Sequence, residues 1–139
     1  MTAPDAEEIR RTQRKFRHAV PADELERRSL AAVGRLARSD WWTHARTIAI
    51  YAAIGGELRP EGLLDERRDD QRLHVPVLAD DALRFVAVTE QTTWMPNRFR
   101  IAEPIATEGG SPIESLGATL LDLVIVPCVA VDRSGHRIG

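Results

Sequence analysis

The pattern of apolar and polar positions changes period along the chain. Over residues 5 to 19 it predicts a helix, with Asp5 as N-cap and Glu8 three positions later in a capping-box arrangement. Ile9, Gln13 and Phe16 give that helix a thin apolar face, and Arg10, Arg11, Arg14, Lys15 and Arg17 make the rest basic. A second helix opens at Pro21 and carries Asp23 and Glu24 in its first turn, where the helix dipole favours them. Leu25, Leu30, Val33, Leu36 and Ala37 continue it at near-helical spacing to about Ser39, and Trp41 and Trp42 begin a short connecting helix.

The pattern then becomes that of strands. Residues 47 to 53 are uncharged, with β-branched and aromatic members, and predict a buried strand that Gly55-Gly56 interrupts. Pro60, Leu63 and Leu64 predict a helix from 60 to about 69, and residues 73 to 77 the next strand. Strand, helix, strand in this order is a βαβ unit, which implies a parallel pair. Asp80-Asp81 reads as a turn and residues 83 to 88 as an alternating edge or hairpin strand. Residues 89 to 104 mix aromatic, proline and polar positions and read as an ordered loop. Residues 107 to 111 read as a glycine-rich spacer, and 121 to 126 as a further strand running into a polar, glycine-bearing segment. There is no internal repeat and no domain linker, so one α/β domain is expected.

Composition narrows the function. The chain has 139 residues, enough for one core, and 19 basic against 21 acidic residues. That balance argues against a bulk nucleic-acid or anionic-membrane binder. A single cysteine, Cys128, excludes an internal disulfide and a cysteine-built metal site. It lies between apolar residues and is expected to be a small buried hydrophobe. No apolar run reaches the roughly 18 residues of a membrane span. The polar N-terminus does not look like a signal peptide, so a cytoplasmic protein is expected.

Candidate chemistry lies in three places. The basic first helix reads either as a solvated face or as a phosphate site, for which arginine forks are suited. Glu57 follows a strand across two glycines, which is where α/β folds place ligand contacts; the alternative is an ordinary loop glutamate. The last stretch, Asp132 to Gly139, reads either as a frayed terminus or as the opening of a loop whose backbone N–H groups face phosphates. The histidines His18, His44, His74 and His136 show no metal-ligand spacing and read as structural or exposed. No Walker-A loop, nucleophile elbow or complete dinucleotide fingerprint is present.

Five motifs in order resemble the 5-formyltetrahydrofolate cyclo-ligase family, also called 5,10-methenyltetrahydrofolate synthetases. They are Ile9-Arg10 with Arg17 and Pro21, then Tyr51 to Glu57 with Leu58, then Leu73-His-Val-Pro76-Val. Ile101-Ala-Glu103-Pro104 follows, and last comes Asp122 to Gly139 with Asp132, Gly135, Arg137 and Gly139. The resemblance covers about residues 6 to 139. It departs at Ala6, where the family usually has a lysine that helps bind ATP.

The resemblance implies a three-layer, Rossmann-like, mostly parallel sheet flanked by helices. It implies a chain truncated before the end of the family's glycine-rich ATP loop, with the C-terminal part of the fold missing. The implied reaction is ATP- and Mg²⁺-dependent conversion of 5-formyltetrahydrofolate (folinic acid) to 5,10-methenyltetrahydrofolate, with ADP and phosphate released. Phosphorylation turns the formyl oxygen into a leaving group, N10 attacks, and phosphate departs; this relies on positioning more than on a protein nucleophile. Carried over residue by residue, Arg10, Arg137, Ile138 and Gly139 would bind ATP, and Ala52 and Glu57 the folate. Arg17 is expected to be structural. No metal ligand is assigned, no nucleic-acid or membrane partner is expected, and a monomer is expected. The alternative is a catalytically dead remnant of such an enzyme.

Overall fold

A computed structural model of the chain describes residues 5–79, 82–105 and 115–139. The predicted turn at Asp80-Asp81 and the spacer at 107 to 111 lie outside the described residues.

The first two helices form as their caps dictate. α1 (Ala6–His18) starts where the Asp5 carboxylate accepts the N–H groups of Glu7 and Glu8. α2 (Ala22–Ala37) follows Pro21, and α3 (Asp40–His44) follows Ser39. The Ser39 hydroxyl donates to the Leu36 carbonyl and accepts from the Trp42 N–H, so one side chain joins two helix ends. The helix expected from 60 to about 69 is shorter. A 3-10 turn at Pro60–Gly62 leads into α4 (Leu63–Glu66), and Arg67 is already extended.

The strands are β1 (Thr47–Ala49), β2 (Arg72–Ala79), β3 (Ala82–Val88), β4 (Trp94–Pro96), β5 (Ala102–Pro104), β6 (Ser115–Leu116), β7 (Leu123–Val124), β8 (Ala130–Val131) and β9 (Arg137–Ile138). The main sheet has the order β6-β3-β2-β1-β7. β1 pairs in parallel with β2 and with β7, as a βαβ crossover requires. β3 is antiparallel to both β2 and β6. Four strands therefore share one direction and β3 opposes them. The sheet is mixed, and mostly parallel by strand direction.

Alternation along the strands gives each face its role. Ile48 and Ile50, Leu73 and Val75, and Val88 lie on one face and form the core with Val33 of α2, Trp42 of α3 and Leu63 of α4. Leu123 and Ile125 pack against the same cluster. The other face carries Ala49, His74 and Phe85, all buried, and then Val124, which is half exposed.

Two polar side chains lock the strands' starting ends. The Asp122 carboxylate accepts the N–H groups of Arg46 and Thr47, tying the entry to β7 to the entry to β1. Those bonds hold its carboxyl below the ordinary range. The buried amide of Gln71 donates to the Trp42 and Ala45 carbonyls and accepts from the Arg68 N–H.

Two expected loops contain hairpins. Residues 89 to 104 hold β4 paired with β5 around Asn97, whose Oδ1 accepts from Phe99 and Ile101. Arg100, at φ 62°, closes that tip. The last stretch holds β8 paired with β9.

Candidate functional site

The strand carrying Tyr51 continues past β1 as extended chain and turns sharply at Gly55 (φ 54°) and Gly56 (φ 80°). What comes close to Gly56 is the protein itself: a methyl group there would lie 2.9 Å from the Arg17 carbonyl oxygen at the end of α1. The two glycines thus let the turn slide under the first helix.

That contact brings Arg17 to Glu57. Arg17 Nη1 lies 3.6 Å from Glu57 Oε1, and the Glu57 side chain is only 13% exposed. Glu57 Oε2 accepts the Ile54 N–H at 3.0 Å across the turn. Arg17 Nε is buried with no hydrogen-bond partner. The next residues are pinned as well: the Tyr51 hydroxyl donates to the Leu58 carbonyl at 2.6 Å, and the Arg59 N–H donates to Ser29 Oγ at 3.0 Å. Burial, with the nearby Glu57 and Glu61 charges, pushes the Tyr51 phenol up to about 12. It therefore stays a neutral donor at ordinary pH.

These groups open onto a cleft of about 390 Å³. Its walls are Phe16 and Arg17 of α1, Val20 in the link to α2, Leu25 and Arg28 of α2, Tyr51 and Gly56 to Leu58, and Val126 to Cys128 just after β7. It lies beyond the C-terminal ends of two adjacent parallel strands, where open α/β sheets bind ligands. Cys128 is exposed on its rim, which corrects the expectation of a buried residue: Val126, Pro127 and Cys128 extend past the end of β7 and are all exposed.

A second cavity of about 240 Å³ lies on the other side of Tyr51. Ala52 lines it with Glu61, Leu64, Val75, Trp94 and Ala102. The two folate candidates from the sequence thus face neighbouring cavities that share Tyr51 as a wall.

The nucleotide candidates are more dispersed. Arg10 is on α1 with a 3.6 Å contact to Glu7. It stands seven residues before Arg17, roughly two turns or about 10 Å along the same helix face. α1 packs near β8, whose partner β9 carries Arg137 and Ile138. Gly139 lies against the Pro127 carbonyl and Cys128, beside the cleft.

Within the hairpin, the backbone donors are engaged. Asp132 Oδ1 accepts from Ser134 N–H and His136 N–H, and the Asp132 carbonyl accepts from Gly135 N–H. His136 Nδ1 sits 3.0 Å from Asp132 Oδ2. Residues 134 to 136 therefore form a self-contained turn whose N–H groups are taken up by Asp132. His74 is buried, while His18, His44 and His136 are exposed. Among the described residues, no group of three or more His, Cys, Asp or Glu side chains could hold a metal ion, and no helix is long and apolar enough to cross a membrane.

That Phe16, Val20, Leu25 and Arg28 line the cleft is not legible in the sequence, because a helical pattern does not say what the helix end faces. Trp94 and Glu61 were passed over because the first sits in a stretch without period and the second in a short 3-10 turn.

The sheet order, the helix-covered core and the cleft at the strand ends define an α/β domain with a mixed, mostly parallel sheet. Comparison with known proteins assigns it more closely. The sequence profile of the 5-formyltetrahydrofolate cyclo-ligase family matches residues 2–139, and the chain belongs to that family. It is 28% identical over 130 residues to the 5-formyltetrahydrofolate cyclo-ligase of Escherichia coli K12, covering 91% of this chain and 69% of that protein. It is 31% identical over 103 residues to the Mycolicibacterium smegmatis enzyme of the same name, covering 68% of this chain and 50% of that one. The NMR structure of Aquifex aeolicus 5,10-methenyltetrahydrofolate synthetase superposes with a TM-score of 0.82 at 23% identity, over 96% of this chain and 66% of that one. The chain thus spans between half and about two thirds of the length of these relatives.

Proposed function

We propose that this chain carries the folate-binding part of an ATP-dependent 5-formyltetrahydrofolate cyclo-ligase. The observation that supports this most is Glu57, held from two sides at the mouth of a cleft beyond the parallel strands. A fixed carboxylate suits the N–H donors of a pterin ring. The second cavity, with Ala52 and the Trp94 ring, offers a flat apolar surface beside it. The buried second face of the sheet, with Ala49, His74 and Phe85, is where the third layer of a Rossmann-like sandwich would lie.

In the proposed reaction the formyl oxygen attacks the γ-phosphorus of ATP and ADP leaves. N10 then attacks the formyl carbon and phosphate departs with the oxygen. In this reading Arg10 and Arg137 would meet the phosphates, with Ile138 and Gly139 next in the chain. Mg²⁺ would enter with the nucleotide and neutralise its phosphate charge.

One observation favours a second reading, in which the chain binds the folate without turning it over. The N–H groups of residues 134 to 136 are committed to Asp132 and do not cradle phosphate. Two measurements test the proposal. Calorimetry with 5-formyltetrahydrofolate should show binding that Glu57→Gln weakens about tenfold, the loss of one charge-assisted bond; unchanged affinity would remove Glu57 from the site. Absorbance of the methenyl product, followed with MgATP present, separates turnover from binding alone.

A further inference from the structure

Glu57 is a carboxylate with two unequal oxygens. Oε2 is spent on the Ile54 N–H within its own turn. Oε1 faces Arg17 Nη1 at 3.6 Å, too long for a full hydrogen bond and close enough for an ion pair. Arg17 does not reach this place by chance of side-chain rotation. Its own carbonyl is packed against Gly56, so the end of α1 and the turn bearing Glu57 fit together as one unit. Both side chains line the same cleft, and both are mostly shielded, at 22% and 13% exposure. Shielding strengthens the attraction beyond that of an open surface pair.

We propose that Arg17 is a positioning residue that aims Oε1 of Glu57 into the cleft, leaving that oxygen as the one a ligand meets. This rests on the reading of Glu57 as the folate contact. It also gives the buried, unpartnered Nε of Arg17 a use: the guanidinium edge is free to slide into a two-point contact as the carboxylate shifts toward a bound ligand. The charge alone would not suffice, because an ammonium lacks the planar fork.

The Ile54 amide reports on Glu57 with no ligand present, since its N–H donates to Oε2. NMR on the full chain should show the Ile54 resonance displaced and its hydrogen exchange about tenfold faster in Arg17→Gln, with Arg17→Lys intermediate. Affinity for 5-formyltetrahydrofolate should fall about tenfold in Arg17→Gln and about threefold in Arg17→Lys, and Arg17→Gln should cost nothing more in a Glu57→Gln background. An unmoved Ile54 amide in Arg17→Gln overturns the proposal, and so does an equal loss of affinity in both backgrounds. If the wild-type chain does not bind the folate, the functional reading fails instead, and the Ile54 amide still decides the role of Arg17.

Discussion

Two turns in this molecule look alike and are built on different physics. Each follows an apolar strand, bends at a positive-φ glycine, and uses a carboxylate to accept backbone N–H: one at Glu57 and two at Asp132. At Glu57 the turn is made by packing: α1 lies on Gly56, Arg17 flanks the carboxylate, and the residues beyond are tied to Tyr51 and Ser29. At Asp132 the turn is made by its own bonds: Ser134, Gly135 and His136 all donate to Asp132, and Gly135 has nothing within 4 Å of a would-be side chain. The first turn depends on distant parts of the chain, so it can hold a site in a defined place. The second depends only on its neighbours, so it can form wherever the chain runs free.

The contrast breaks most visibly at the glycines. Gly56→Ala would put a methyl group 2.9 Å from backbone at positive φ. Strain and overlap together should cost about 2–4 kcal/mol, seen as a lower denaturation midpoint. It should also displace α1 from the cleft. Gly135→Ala meets the same dihedral problem in open space, so it should cost about 1 kcal/mol and leave the cleft unchanged by NMR. Equal costs at the two positions would mean that packing against α1 adds nothing.

The smallest effect concerns acid. The His136 side chain, then the backbone N–H groups, hold the Asp132 carboxyl below its ordinary range. A lowered folded value means its contribution is complete above the unfolded carboxylate range, about pH 4, and is lost as pH falls through the folded value. Protection of the Ser134 and His136 amides, taken relative to their intrinsic exchange rates, should therefore fall on acidification below that range. Asp132→Asn should flatten this dependence. The Ile50 amide, buried and bonded to the His74 backbone carbonyl, serves as the internal control.

What could be read in the sequence follows the same division. Regular elements with strong patterns were legible: both long helices, the β1–β2 parallel pair, and the strand that became β7. So was Glu57 as the residue after a Gly-Gly break. The helix predicted to reach about residue 69 stopped at Glu66, because Gln71 draws the following chain into hydrogen bonds with Trp42 and Ala45. A pattern of apolar residues cannot show that. The β4–β5 hairpin was hidden because its tip is organised by Asn97 and by Arg100 in the left-handed region, with no glycine to announce it. Arg17 was read as structural, and the pairing across 40 positions that brings it to Glu57 has no local signature in the sequence.

The short segment from Glu57 to Arg59 has a consequence for how any ligand arrives. Its carbonyl at Leu58 and its N–H at Arg59 are both held, one by a tyrosine and one by a buried serine of α2 whose hydroxyl also donates to the Leu25 carbonyl. Ordering a loose residue on binding typically costs about 1–2 kcal/mol, and here folding has already ordered these. Association at Glu57 should therefore show little entropic penalty from the protein. Its rate should be governed by diffusion into the cleft, with no slow closing of a loop around the ligand.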